Sequence, residues 1–206
     1  MVRLFLAKNS YAMSSHLILE EIGRPYELVE VAIFTDRPDP AFLAVSPHAR
    51  VPALVDGEVA LCETGAIALY LADKHPEAGL AFPPGDPGRA RLLQWLFYLS
   101  STLQPDVMIQ FHPELTFGDP ARQAELKAAS MTRLEKIWPV LDEALAPGPY
   151  FFGDAPTVAD FCLATQAIWP ECFAESIEAY PRIAAMVEAA RARPSFARLK
   201  AWHGLD

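Results

Sequence analysis

Basic residues are scarce in this chain: 17 lysines and arginines stand against 26 aspartates and glutamates, a formal net charge of −9 over 206 residues. That balance argues against a nucleic-acid or anionic-membrane surface, where lysine and arginine would cluster. Cysteine is also sparse. Cys62, Cys162 and Cys172 show neither CxxC nor metal-ligand spacing, so no disulfide framework and no metal site is expected. No apolar run reaches the length of a membrane span, and MVRLFLAKNSYA at the N-terminus lacks a signal-peptide core. A soluble, cytoplasmic protein is expected. Apolar residues make up 52% of the chain, which rules out a low-hydrophobicity disordered one.

The most informative stretch runs from Ser46 to Lys74, SPHARVPALVDGEVALCETGAIALYLADK. Val51-Pro52 opens the short apolar run Ala53-Leu54-Val55. Asp56-Gly57 follows, a two-residue hairpin signal of the type I′ kind because Asp-Gly tolerates positive φ. Glu58 to Leu61 reads as the return strand. Glu63-Thr64 then stands before Ala66, Ile67, Leu69, Tyr70 and Leu71, a helix-period run with a polar group at its start. Free backbone N–H groups and the helix dipole make such a mouth fit for an anion.

Upstream, Val2 to Leu6 reads as a strand and Lys8-Asn9-Ser10 as a break. Met13, Leu17, Ile18 and Ile22 then recur at helical spacing, with Gly23 where a C-cap belongs. Glu27 to Ile33 alternates as a second strand, giving a βαβ unit with parallel pairing. Asp36 to Val45 reads as a loop with a short helix. Residues 77–87 hold the densest cluster of proline and glycine and serve as a linker between residues 1–76 and an all-helical domain over residues 88–206. In that domain Leu92, Trp95, Leu96, Leu99 and Leu103 form a helical stripe, which Pro105 kinks rather than ends. Pro120 to Leu145 is a second long helix. Thr157 and Asp160 make a capping-box pair ahead of a third, and two more follow, the last with Ser195 as N-cap.

VPAL, a hairpin and ETGAIALYLADK in that order resemble the glutathione-binding half of the cytosolic glutathione S-transferases, here a bacterial-type member. The resemblance implies an α/β thioredoxin-like N-terminal domain and an all-α C-terminal domain. It also implies glutathione as co-substrate, no metal, and a homodimer without nucleic-acid or membrane partners. It makes Val51-Pro52 a cis pair whose backbone meets the cysteinyl backbone of the tripeptide like an added strand. Glu63 would take the γ-glutamyl ammonium, and the Thr64 hydroxyl and amide its carboxylate. Arg50 and His48 are candidates for the glycyl carboxylate. The Thr157–Asp160 box has a structural role.

The chemistry demanded is ionisation of a thiol. Free cysteine has a pKa of about 8.5, and each unit of depression requires about 1.4 kcal/mol of preferential thiolate stabilisation. A hydroxyl or amide donating to sulfur from the first strand–helix turn supplies it. Ser10, Tyr11 and Asn9 all stand there, with Ser10 the first choice and Tyr11 at the position where many bacterial members carry cysteine. A hydrophobic electrophile would meet Phe97, Ser101, Gln104, Met108 and Phe111, which share one helical face by spacing. The expected function is a glutathione transferase. The alternatives are a non-catalytic glutathione-binding or regulatory module, or a glutathione-dependent isomerase, dehalogenase or peroxidase on the same fold.

Overall fold

The computed structural model describes residues 1–205. The chain divides into two compact units, residues 1–89 with 191–206 and residues 90–190. The proline and glycine cluster at residues 77–87 predicts that everything after it belongs to the helical domain. The final segment instead joins the first unit, because its helix packs on the first helix of the chain.

The first unit is built on β1 (Val2–Leu6), α1 (Met13–Ile22), β2 (Tyr26–Glu30), α2 (Pro40–Leu43), β3 (Ala53–Asp56), β4 (Val59–Cys62) and α3 (Thr64–Lys74). The sheet order is β2-β1-β3-β4, with β1 and β2 parallel and the other pairs antiparallel. This is the thioredoxin-like arrangement. Alternation along β1 decides the layers. Leu4 and Leu6 are fully buried, while Phe5 joins Phe42 of α2 and Ala53 in a separate cluster. The Phe5 and Phe42 rings stack at 5.8 Å. α1 ends at Gly23, whose φ of 68° is a left-handed cap that a side chain would strain.

The hairpin differs from its expected form by one residue. Asp56 pairs with Val59, so the two-residue loop is Gly57-Glu58 and the return strand is Val59–Cys62. Gly57 has φ 62° and Glu58 is not among the positive-φ residues, the pattern of a II′ turn rather than I′. Both turns suit the twist of the strands, and glycine at the first central position selects this one.

The second unit contains most of α4 (Pro87–Tyr98), then α5 (Gln104–Phe111), α6 (Pro120–Ala144), α7 (Val158–Ala167) and α8 (Pro181–Arg191). Its core centres on Trp138, which stacks on Phe173 at 4.6 Å and donates its indole N–H to the Cys172 carbonyl at 2.8 Å. Pro105 neither ends the α4–α5 run nor simply bends it. A π turn over Leu99–Leu103 absorbs it, with the Gln104 N–H donating to the Leu99 carbonyl. Proline lacks an N–H and collides with the carbonyl four residues back, and a widened turn relieves both problems. The expected Thr157–Asp160 capping box forms at the start of α7.

α9 (Pro194–His203) closes the first unit. Its N-cap is Arg193, not the expected Ser195. The Ser195 hydroxyl is drawn instead to the Glu21 carboxylate of α1.

Candidate active site

Strand register brings the expected glutathione-binding residues to one end of the sheet. Phe5 of β1 pairs with Ala53 of β3, and Ala53 pairs with Cys62 of β4. Beyond that row lie the turn over residues 7–12, the Val51-Pro52 pair entering β3, and Glu63-Thr64 leaving β4. The Val51-Pro52 peptide bond is cis.

Glu63 is the N-cap of α3 but its side chain makes no capping bond. Helix mouths generally draw polar side chains inward to satisfy their first amides, and here the carboxylate stays exposed. Its backbone adopts φ 75°, ψ 117°, a conformation that L-residues rarely take and that costs on the order of 1–3 kcal/mol. Thr64 is buried as the first helical residue. Ser46 ties the approach to β3: its hydroxyl donates to the Arg50 carbonyl at 2.8 Å and accepts the Arg50 N–H at 3.0 Å. The Arg50 guanidinium lies 5.1 Å from the Phe34 ring centroid, and His48 is exposed on the same loop.

The three candidate thiolate donors have different surroundings. The Ser10 hydroxyl donates to the Ala7 carbonyl at 2.7 Å and accepts the Ala12 N–H at 3.3 Å, so its proton is already engaged within the turn. Tyr11 is buried. Asn9 is exposed, has φ 52°, and donates its backbone N–H to Nδ1 of His203 at 3.2 Å. His203 was missed in the sequence because it lies 194 residues away and no local pattern links it to the turn.

The remaining candidates lie in the second unit. Gln104 and Met108 on α5 are half-buried, and the Gln104 side-chain Oε1 accepts a bond from the Gln166 side-chain amide at 2.7 Å. Phe97 is 69% exposed. The face expected from spacing does not run unbroken, because the π turn rotates residues before it by about 100° relative to an ideal helix. Gln104, Met108 and Phe111 follow the turn; Phe97 precedes it and Ser101 lies within it.

A thioredoxin-like sheet with a cis-proline at the entrance to β3, followed by a helical unit, defines a two-part thioredoxin-like class of protein. Residues 9–79 match the family model for the glutathione S-transferase N-terminal domain, and residues 123–204 that for the C-terminal domain. The chain is 30% identical over 196 residues to glutathione S-transferase GstA of Escherichia coli O157:H7, covering 94% of each. It is 32% identical over 210 residues to the disulfide-bond oxidoreductase YfcG of Escherichia coli K12, covering 95% of this chain and 92% of that one. A sphingomonad glutathione S-transferase complexed with glutathione superposes with a TM-score of 0.86 at 31% identity, covering 99% of this chain and 100% of that chain. The chain belongs to the glutathione S-transferase family.

Proposed function

We propose that this chain is a glutathione transferase that binds the tripeptide across the end of its sheet and presents the sulfur as thiolate to a hydrophobic electrophile. The observation that carries this reading is the convergence of the cis Val51-Pro52 pair, the uncapped Glu63-Thr64 helix mouth and the residue 7–12 turn. Glu63 takes the γ-glutamyl ammonium, and the Thr64 hydroxyl and amide take the neighbouring carboxylate with support from the α3 dipole. The Val51 backbone pairs with the cysteinyl unit. Arg50 and His48 supply positive charge for the glycyl carboxylate. Gln104 and Met108 serve the electrophile. The working form is a cytoplasmic homodimer, needing no metal.

Asn9 is the preferred donor to sulfur. Ser10 would have to abandon the Ala7 carbonyl first, and Tyr11 is buried, whereas the Asn9 amide is exposed on the turn. A side-chain N–H donating to the charged form lowers the thiol pKa. A second reading, thiol–disulfide exchange on glutathione's own sulfur, is favoured by the YfcG relative, which is named a disulfide-bond oxidoreductase. It uses the same thiolate against sulfur instead of carbon.

The test is a glutathione titration read by thermal shift and thiolate ultraviolet absorbance, on wild type, Asn9→Ala, Ser10→Ala and Tyr11→Phe. Glutathione at about 100 times its Kd should stabilise the protein by about 2.7 kcal/mol. Asn9→Ala should bind but lose the thiolate band. Absence of stabilisation in wild type refutes the binding reading; a thiolate band lost only in Ser10→Ala or Tyr11→Phe reassigns the donor. Turnover of an aryl halide against a small disulfide separates the two reactions.

A further inference from the structure

We propose that His203, at the end of the last helix, is a positioning residue that holds the glutathione-facing turn through the backbone N–H of Asn9. The inference rests on the reading that Asn9 faces the sulfur. It starts from a donor with no choice of role: a backbone N–H can only donate, so Nδ1 of His203 must be the acceptor, at 3.2 Å. The His203 proton is therefore on Nε2, which stands 3.2 Å from Nδ1 of His16. His16 in turn carries its proton on Nε2, 3.2 Å from the Tyr26 oxygen. Tyr26 donates to the Glu20 carboxylate, which Arg198 also grips. Every member has one role compatible with all the others, and the chain of bonds runs from the turn to a charged terminus on α1.

The two imidazoles are buried, at 1% and 2% exposure. Burial keeps both neutral, lowering His16 to about 4 and His203 to about 3, against the opposing pull of Glu20 on His16. Neutrality matters because a protonated His203 would present an N–H to the Asn9 N–H. The titratable and charged groups around the pair are Lys8, Glu20, Tyr26 and Arg198.

Two further observations tie α9 to this task. The Lys8 ammonium, in the same turn, lies 5.6 Å from the Trp202 ring centroid, so adjacent residues of α9 hold adjacent residues of the turn. The helix itself is pinned to α1 by Arg193, whose Nε and Nη2 meet the Glu21 carboxylate at 2.7 and 2.6 Å, and by the Ser195 hydroxyl on the same carboxylate. Asn9 has a left-handed φ of 52°, a conformation asparagine tolerates better than most residues, and the fixed N–H bond selects it over the ordinary ones.

Two substitutions divide the roles of the ring. His203→Asn leaves an oxygen near the Nδ1 position and keeps an acceptor for Asn9. His203→Gln places its amide near the Nε2 position, keeping the His16 contact and removing the acceptor. The thiol pKa of bound glutathione, read by thiolate absorbance, should rise by about half a unit to one unit in His203→Gln and stay within error in His203→Asn. Amide hydrogen exchange at Asn9 should quicken in His203→Gln alone. Equal effects in both variants, or none, overturn the proposal. If Asn9 exchange responds as stated while Asn9→Ala leaves the thiol pKa unchanged, the donor assignment fails and the positioning role stands. Should either variant not fold, the nitrogen-15 shifts of His203 in the wild-type protein decide: protonation on Nε2 is expected, and protonation on Nδ1 overturns the proposal.

Discussion

Replacing Asp160 by asparagine changes one atom, and the structure states what that atom does. Oδ1 accepts the Phe151 N–H at 2.8 Å, while Oδ2 accepts the Thr157 N–H at 2.7 Å and the Thr157 hydroxyl at 2.8 Å. The residue is 1% exposed, so no water replaces a lost partner. An asparagine amide has one oxygen and one NH2. Whichever way it lies, the NH2 confronts a buried backbone N–H, from Phe151 in one orientation and Thr157 in the other. An orphaned buried donor costs about 1–3 kcal/mol, and the remaining bonds lose their charge assistance, so Asp160→Asn should destabilise the second unit by about 2–3 kcal/mol. Thr157→Ala, which removes the hydroxyl, should cost about 1 kcal/mol. The pH dependence has a definite sign. Burial raises the folded-state pKa of Asp160 from 3.8 to about 6 despite the three donors, so the folded state binds more protons between those values. The Asp160 contribution therefore grows as pH falls through that window. The wild-type advantage over Asp160→Asn should widen by about 1 kcal/mol from pH 7 to pH 5. Urea unfolding followed by tryptophan fluorescence measures both, since Trp95, Trp138 and Trp169 report on this unit. A variant within 0.5 kcal/mol of wild type, or a gap that narrows in acid, refutes the reasoning.

Glu63→Gly should raise stability in urea by about 1 kcal/mol, since glycine adopts φ 75° freely, and should weaken glutathione binding in the same preparation; calorimetric titration with unchanged affinity would remove Glu63 from the site. His16→Asn tests the opposite pH sign to Asp160. With its folded pKa lowered to about 4 by burial, His16 contributes stability that is present above the unfolded value of about 6.5 and lost as pH falls. The wild-type advantage over His16→Asn should therefore shrink by about 2 kcal/mol between pH 7 and pH 5 in thermal or urea unfolding.

What was legible in the sequence was local. The strand of Val2–Leu6, the helix stopped by Gly23 and the box of Thr157 with Asp160 each depend on residues a few positions apart, and each formed. The order of the Val51-Pro52 and Glu63-Thr64 elements was equally readable because strand register carries both to one sheet end. What escaped was set by distant partners. Ser195 has every local reason to cap α9, but Glu21 takes its hydroxyl from across 174 residues. The placement of residues 191–206 in the first unit follows from such contacts. Pro105 announced an irregularity, but the expected kink is a widened turn over Leu99–Leu103. Ser10 read equally well as donor or turn residue, and only the position of the Ala7 carbonyl separates the two.

That α9 belongs with the β1–β4 sheet means the first unit is discontinuous along the chain. During synthesis its strands emerge first, yet the face of α1 that α9 covers stays bare until the final helix leaves the ribosome. Excising residues 1–89 as a miniature binding domain would strip off that cover, along with the acceptor that Asn9 uses. If His203 holds the Asn9 turn as proposed, grafting the tail of one relative onto the body of another should change the acidity of a thiol bound beside that turn.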